Sequence, residues 1–338
     1  MGVFATLLSA TPQSFTFQTL APDQVPDGSI AEPLRRDECY LNIFIQSLRI
    51  PKVREFTTRY YGAVYSYVSA ERLGGEKIHL QAVAIPNNLK DIDPEAADLI
   101  VSTNLRVVGP VPYRGGDIGI ELGLVAVKSG DFASSYLQLV EDIAKTAGVG
   151  LVQTAMPFAR LLERGIGLLM GTGANVKLLL GLAKTIEEPC SGTSVIIGTD
   201  PKNLEVGKLK IRKDDRKLLA PDGTEFMSAP YLVFRITGTK ERDDWANIEY
   251  LRTAYEAVSS AVNKKRQTEA TAALEQFRLN ALLSPDLLTT DANRLYEKTE
   301  ALVKLAFQEV MRGRRSEEKP LPALEELDLY DKRAEKCA

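Results

Sequence analysis

The chain has 338 residues, 44% of them hydrophobic and 26% charged, with 42 Lys plus Arg against 45 Asp plus Glu and a net charge of −3. This is the composition of an ordinary globular protein, long enough for about two domains of roughly 100–200 residues each, and its charge balance excludes a general pull toward nucleic acid or anionic lipid. A single histidine, His79, leaves almost no material for a catalytic triad, a zinc centre or a histidine relay, and three scattered cysteines, Cys39, Cys190 and Cys337, form neither a CxxC pair nor a disulfide framework. The cysteine usage points to a reducing, cytoplasmic setting.

The N-terminal stretch MGVFATLLSATPQ lacks the basic start and long apolar core of a secretory signal. Gly2 followed by Thr6 fits the myristoylation pattern, but so short a pattern arises often by chance, and a frayed first strand is the simpler expectation. From residue 14 to about 128 the chain reads as extended segments broken by turns. Residues 15–20 alternate weakly. Residues 39–48 alternate clearly, with Leu41, Ile43 and Ile45 on one face and Tyr40, Asn42, Phe44 and Gln46 on the other. Residues 54–70 are rich in Thr, Tyr and Val, which suit a pleated, half-buried surface. Further strands are expected over 77–85, 99–108 and 118–127, separated by Gly74-Gly75, Pro86-Asn87-Asn88 and Gly115-Gly116. Extended runs with short returns and no intervening helix argue for an antiparallel sandwich or barrel, not a parallel sheet.

The period changes after Asp131. A helix carrying Tyr136, Val140, Ile143 and Ala147 is expected to stop at Gly148, and a second to run over 154–170. Strand-like runs return at 176–186, 194–198, 208–212 and 231–237, with Pro221-Asp222-Gly223-Thr224 as a turn. Asp243 then caps a helix with Trp245, Ile248, Leu251, Tyr255, Val258 and Val262 on one face, and another covers about 269–283. Ser284-Pro285-Asp286 reads as the N-cap of a third, which carries Leu288, Leu295, Leu302, Val303 and Phe307. The expected fold class is α+β: an antiparallel β-sandwich, C2-like or jelly-roll-like, with a helical insertion and a C-terminal helical bundle. Its divisions are sandwich strands over 1–130, a helical hairpin insertion over 131–175, further strands completing or flanking the sandwich over 176–240, a three-helix bundle over 241–315 and a charged mobile tail over 316–338.

The candidate chemistry is sparse. His79 shares the polar side of its strand with Lys77 and Gln81 and reads as a surface imidazole. Cys190, in Glu188-Pro189-Cys190-Ser191-Gly192, is the candidate nucleophile, although a reactive thiolate needs an electropositive pocket and a base. Asp91, Asp93 and Glu95, joined by Asp117 if the loops share an end, offer alternate oxygens to a candidate Ca²⁺, but without the glycine and terminal glutamate of an EF-hand. Gly165, Gly167 and Gly171 form a glycine string that lacks the lysine and hydroxyl of a phosphate loop and reads as helix termination. The sparsely charged region 148–183 is the candidate for membrane association, although Arg160, Glu163, Arg164 and Lys177 interrupt every window long enough to span. Pro112, Tyr113 and Arg114 form a stiff loop with the composition of an interaction hot spot.

The leading expectation is a non-enzymatic, cytoplasmic interaction or scaffold protein with no cofactor and no nucleic-acid partner, binding another protein through sandwich loops and C-terminal helices. A lipid-binding or pore-forming protein using 148–183, and a hydrolase built on Cys190 or on carboxylates, are the alternatives.

Overall fold

The computed structural model describes residues 16–50, 54–55, 58–71, 75, 77–84, 99–128, 176–199, 204–242, 244–311 and 321–330. In chain order the strands are β1 (Thr16–Thr19), β2 (Tyr40–Ile50), β3 (Arg54–Glu55), β4 (Thr58–Glu71), β5 (Lys77–Ala84), β6 (Leu99–Pro112), β7 (Ile118–Lys128), β8 (Val176–Ile186), β9 (Gly192–Ile197), β10 (Lys210–Ile211), β11 (Leu218–Leu219) and β12 (Tyr231–Thr239). The helices are α1 (Glu249–Asn263), α2 (Gln267–Leu282) and α3 (Thr289–Met311). Two five-stranded antiparallel sheets carry most of the strands. The first has the order β1-β9-β12-β2-β6; the second runs β3-β4-β7-β8, with β5 also paired to β4. The expected helices before residue 176, the cap at Asp243 and the side chain of His79 lie outside the described residues; the backbone of His79 stands in β5, opposite Ser69.

Period-two alternation explains the sheets. On β7, Ile118, Ile120, Leu122 and Leu124 are buried in one cluster with Val64 and Val68 of β4 and with Leu180 and Leu182 of β8. Leu41, Ile43 and Ile45 of β2 join the same cluster, as do Leu232, Phe234 and Ile236 of β12, so both sheets line one apolar core. The parity of β2 then changes, because Leu48 and Ile50 are the next core residues. The ladder to β12 explains the switch: Val233 pairs with Ser47 and Phe234 with Ile45, which leaves Gln46 as an inserted residue. A bulge of one residue moves every later side chain to the opposite face.

The other face of the first sheet is covered as well. Val195, Ile197, Tyr231 and Val233 pack there with Leu209, Ile211, Leu218 and Phe226 from the β10–β11 hairpin and its flanks. The turn after β11 falls where the sequence places it, with Gly223 at φ +84° and the Asp222 carboxylate accepting from the Thr224 N–H at 3.0 Å. At Gly109, φ is +96°, and a Cβ there would collide with the Leu41 carbonyl oxygen, so only glycine lets β6 lie this close to β2.

The helices form a separate core. Leu251, Tyr255, Val258 and Val262 of α1 recur at helical spacing and pack with Leu274 and Phe277 of α2 and with Leu295 and Val303 of α3. Part of the expected mobile tail contributes to it: Leu321, Leu324 and Leu329 are buried among these helices. The Tyr255 hydroxyl donates to the Pro322 carbonyl at 2.7 Å, and burial pushes the phenol up to about 12.

One helix start differs from its sequence signature. Ser284-Pro285-Asp286 does not cap α3, whose first intrahelical bond runs from the Ala292 N–H to the Leu288 carbonyl. The preceding backbone is already engaged: the Asp286 carbonyl accepts from Arg242, the Leu287 carbonyl accepts from Arg114, and the Leu288 N–H donates to the Tyr40 hydroxyl. Ser284 meanwhile bonds Tyr250 and the Asp286 N–H, forming a local turn in place of a cap. Tertiary bonds hold residues 286–288 out of the helix.

Candidate functional site

A set of buried polar groups lies where the helices meet the first sheet. β2 begins at this end, and β6 and β12 finish here, with Tyr40 paired to both Pro112 and Thr239. Tyr40 alternates away from the apolar core, so its phenol projects toward the start of α3. There it donates to Asp291 Oδ2 at 2.7 Å and accepts from the Leu288 N–H at 3.0 Å. Tyr330, from the C-terminal segment, donates to the same Oδ2 at 2.8 Å and accepts from the Arg242 N–H at 2.8 Å. Arg294, one turn along α3, reaches Asp291 Oδ1 at 3.2 Å. A single carboxylate in the first turn of α3 therefore gathers β2, the C-terminal segment and its own helix.

Arg242 makes a second tie. Its side chain is 0% exposed; Nε donates to Asp244 at 2.6 Å and Nη1 to the Asp286 carbonyl at 2.6 Å. Nη2 has no hydrogen-bond partner among the described residues. Asp286, also buried, accepts from Tyr250 at 3.0 Å, which connects this guanidinium to α1. Arg114 makes a third tie, donating to Asp37 at 2.8 Å and to the Leu287 carbonyl at 2.8 Å. Asp37 sits at φ +59°, a conformation that aspartate tolerates better than bulkier residues, and its N–H bonds the Tyr113 carbonyl.

The electrostatics suit holding protons in place. Burial, reinforced by the charge of Asp291, pushes the Tyr40 phenol far above its ordinary value. Burial also raises Tyr330 and Tyr250, which face Asp291 and Asp286 respectively. These phenols stay protonated as donors throughout the neutral range, and the arrangement works as a clamp between sheet and helices.

The residues singled out from sequence fall in several places. Pro112, Tyr113 and Arg114 are buried; Tyr113 donates to the Gly116 carbonyl at 2.8 Å, and Arg114 belongs to the clamp. Burial raises the Tyr113 phenol, helped by the neighbouring Cys39, Asp117 and Glu71. Cys190 is partly exposed on the link from β8 to β9, where it forms a backbone bridge with Pro33 and its thiol lies 3.4 Å from the Glu188 carbonyl. Asp117 is exposed just before β7, whereas Asp91, Asp93 and Glu95 lie outside the described residues. Among the described residues no group of three or more His, Cys, Asp or Glu could hold a metal ion. Of the apolar region 148–183, residues 176–183 belong to β8 and the remainder lies outside the described residues. Among the described residues no helix is long and apolar enough to cross a membrane.

The clamp residues Tyr40, Arg242, Asp286, Asp291 and Tyr330 carry no sequence signature of their joint role. Arg242 sits between Glu241 and Asp243 in a charged run, and Asp291 is an acid in the first turn of α3. The one usable hint was Tyr40, an aromatic on the polar face of an otherwise apolar strand. No protein-family model, curated protein or solved structure matches the chain.

Proposed function

We propose that this chain is a non-enzymatic interaction protein, an adaptor acting in the cytoplasm. In this reading the two sheets are the layers of a β-sandwich of C2-like or jelly-roll-like architecture, and the sandwich and helical bundle are presented to a protein partner as one body. The shared apolar core of the two sheets supports the sandwich. The observation that carries the functional reading is the clamp through Asp291, which joins Tyr40 of the sheet to Tyr330 of the C-terminal segment at 2.7 and 2.8 Å. Buried polar groups that hydrogen-bond one another rigidify the structure they connect, and an adaptor needs its surfaces in a fixed relation. Arg114 belongs to the same clamp, so partner contact in this reading falls on the surfaces that the clamp orients and not on the 112–114 loop.

The test is cross-linking mass spectrometry on the full chain purified with its complex from native cells. A partner of fixed stoichiometry, cross-linked to both sheet and helix residues, is expected. Turnover of a small molecule by the purified chain that disappears in Cys190→Ala would overturn the reading in favour of a thiol enzyme.

A further inference from the structure

The chain leaves β8 at the rim of the second sheet and crosses residues 187–191 into β9 of the first sheet, next to β1. Among the described residues β8 pairs only with β7, and β1 only with β9, so both present an outer edge on this side. Between these edges runs an open groove of about 610 Å³, lined by Thr16, Phe17 and Gln18 of β1, by Leu182, Ala183 and Lys184 of β8, and by Leu204 and Val206. Main-chain donors and acceptors of an edge strand are a template for another strand. The lining therefore combines hydrogen-bonding backbone with an apolar floor.

Its charge is one-sided. Among the described residues Lys184 is the one charged member of the lining, and no acid accompanies it. Its ammonium lies 4.5 Å from the centre of the Phe17 ring, across the groove, and among the described residues no carboxylate pairs with it. Leu180 and Leu182 are buried in the shared core, whereas Ala183, Lys184 and Thr185 are exposed. Toward its end, before Ile186, the longer of the two edges thus carries small or polar side chains.

We propose that the groove between β1 and β8 binds an extended segment of a partner protein, which adds as a further strand to the edge of β8 that is unpaired among the described residues. Alternate side chains of such a strand enter the groove. The segment therefore carries an apolar residue against Phe17, Leu204 and Val206 and, two positions away, an Asp or Glu facing Lys184. This deepens the adaptor reading and rests on it.

The experiment uses the full chain and a displayed library of random ten-residue peptides. Enrichment of extended sequences with an acid two positions from an apolar residue is expected. Their affinity should fall at least tenfold on Lys184→Glu, recover when the peptide acid is exchanged for lysine against that variant, and vanish when proline is placed at the centre of the peptide. Circular dichroism checks that the exposed substitution leaves the fold intact. Failure to enrich any peptide, or binding indifferent to both the charge exchange and the proline, overturns the proposal. So does a dimer in sedimentation velocity that Lys184→Glu abolishes, which would assign the edge to a second copy. A carbodiimide cross-link of Lys184 to a carboxylate of its own chain also overturns it, by assigning the groove to an intramolecular segment. If native complexes form but survive Lys184→Glu, the groove assignment fails and the adaptor reading stands; if no complex forms, the adaptor reading itself fails.

Discussion

The first sheet has two unlike borders. At the end where β2 begins it meets the helices through buried phenols, guanidinium groups and carboxylates, whereas at its β1 edge it faces an open groove with an exposed lysine. The difference shows where this sequence makes its polar side chains depend on one another. At the helix border Tyr40, Arg114, Arg242, Asp286 and Asp291 are buried and depend on their partners, so losing one partner leaves another unsatisfied. At the groove Lys184 is exposed, and its ammonium's one contact among the described residues is the Phe17 ring.

Substitution at the helix border should therefore be severe, and Arg242→Ala the most damaging of the changes considered. It strips the buried Asp286 carbonyl and Asp244 of a charged donor and should cost about 3 kcal/mol, read as a lower midpoint in urea with an unchanged slope. Asp291→Ala should follow at about 2 kcal/mol, because it leaves two phenols, Tyr40 and Tyr330, without their acceptor. Tyr40→Phe and Tyr330→Phe should each cost about 1 kcal/mol. Since both phenols donate to the same oxygen, the double substitution should depart from additivity by about 0.5 kcal/mol or more.

The border should also be sensitive to alkali. The Tyr40 phenol is raised in the folded chain by burial and by Asp291, so the folded state holds its proton where the unfolded chain has lost it. The contribution is complete below the ordinary phenol value of 10.0 and is lost as pH rises from there toward the folded value. Stability should fall by about 1.4 kcal/mol per pH unit from Tyr40 alone over that window. Absorbance near 295 nm should show this phenol ionising only as the chain unfolds. At the other border Lys184→Glu should change stability by less than about 0.5 kcal/mol, the smallest effect of the series.

The same contrast explains what the sequence conveys. Alternation located β2, β7 and β12, and helical spacing located the buried face of α1, because each signal lies within a few neighbouring residues and reflects one apolar core. The bulge at Gln46 was invisible, since it depends on the register of β12. The clamp was invisible for a stronger reason: Tyr40 and Asp291 are 251 positions apart, and neither residue type announces its partner. Ser284-Pro285-Asp286 misled because a good local cap competes with Arg242, Arg114 and Tyr40, and the buried long-range bonds prevail. Pro112, Tyr113 and Arg114 resemble an interaction loop because a buried internal junction draws on the same residue types as an interface between proteins.

The clamp's central consequence is that sheets and helices unfold together, and the sole tryptophan makes this measurable. Trp245 lies 7% exposed in the helical core, so its fluorescence reports the helices, while far-ultraviolet circular dichroism near 215 nm reports the sheets as well. Equilibrium unfolding in urea followed by both signals should give coincident transitions for the natural chain, and separate ones, tryptophan first, for Arg242→Ala. Separate transitions in the natural chain would contradict the account.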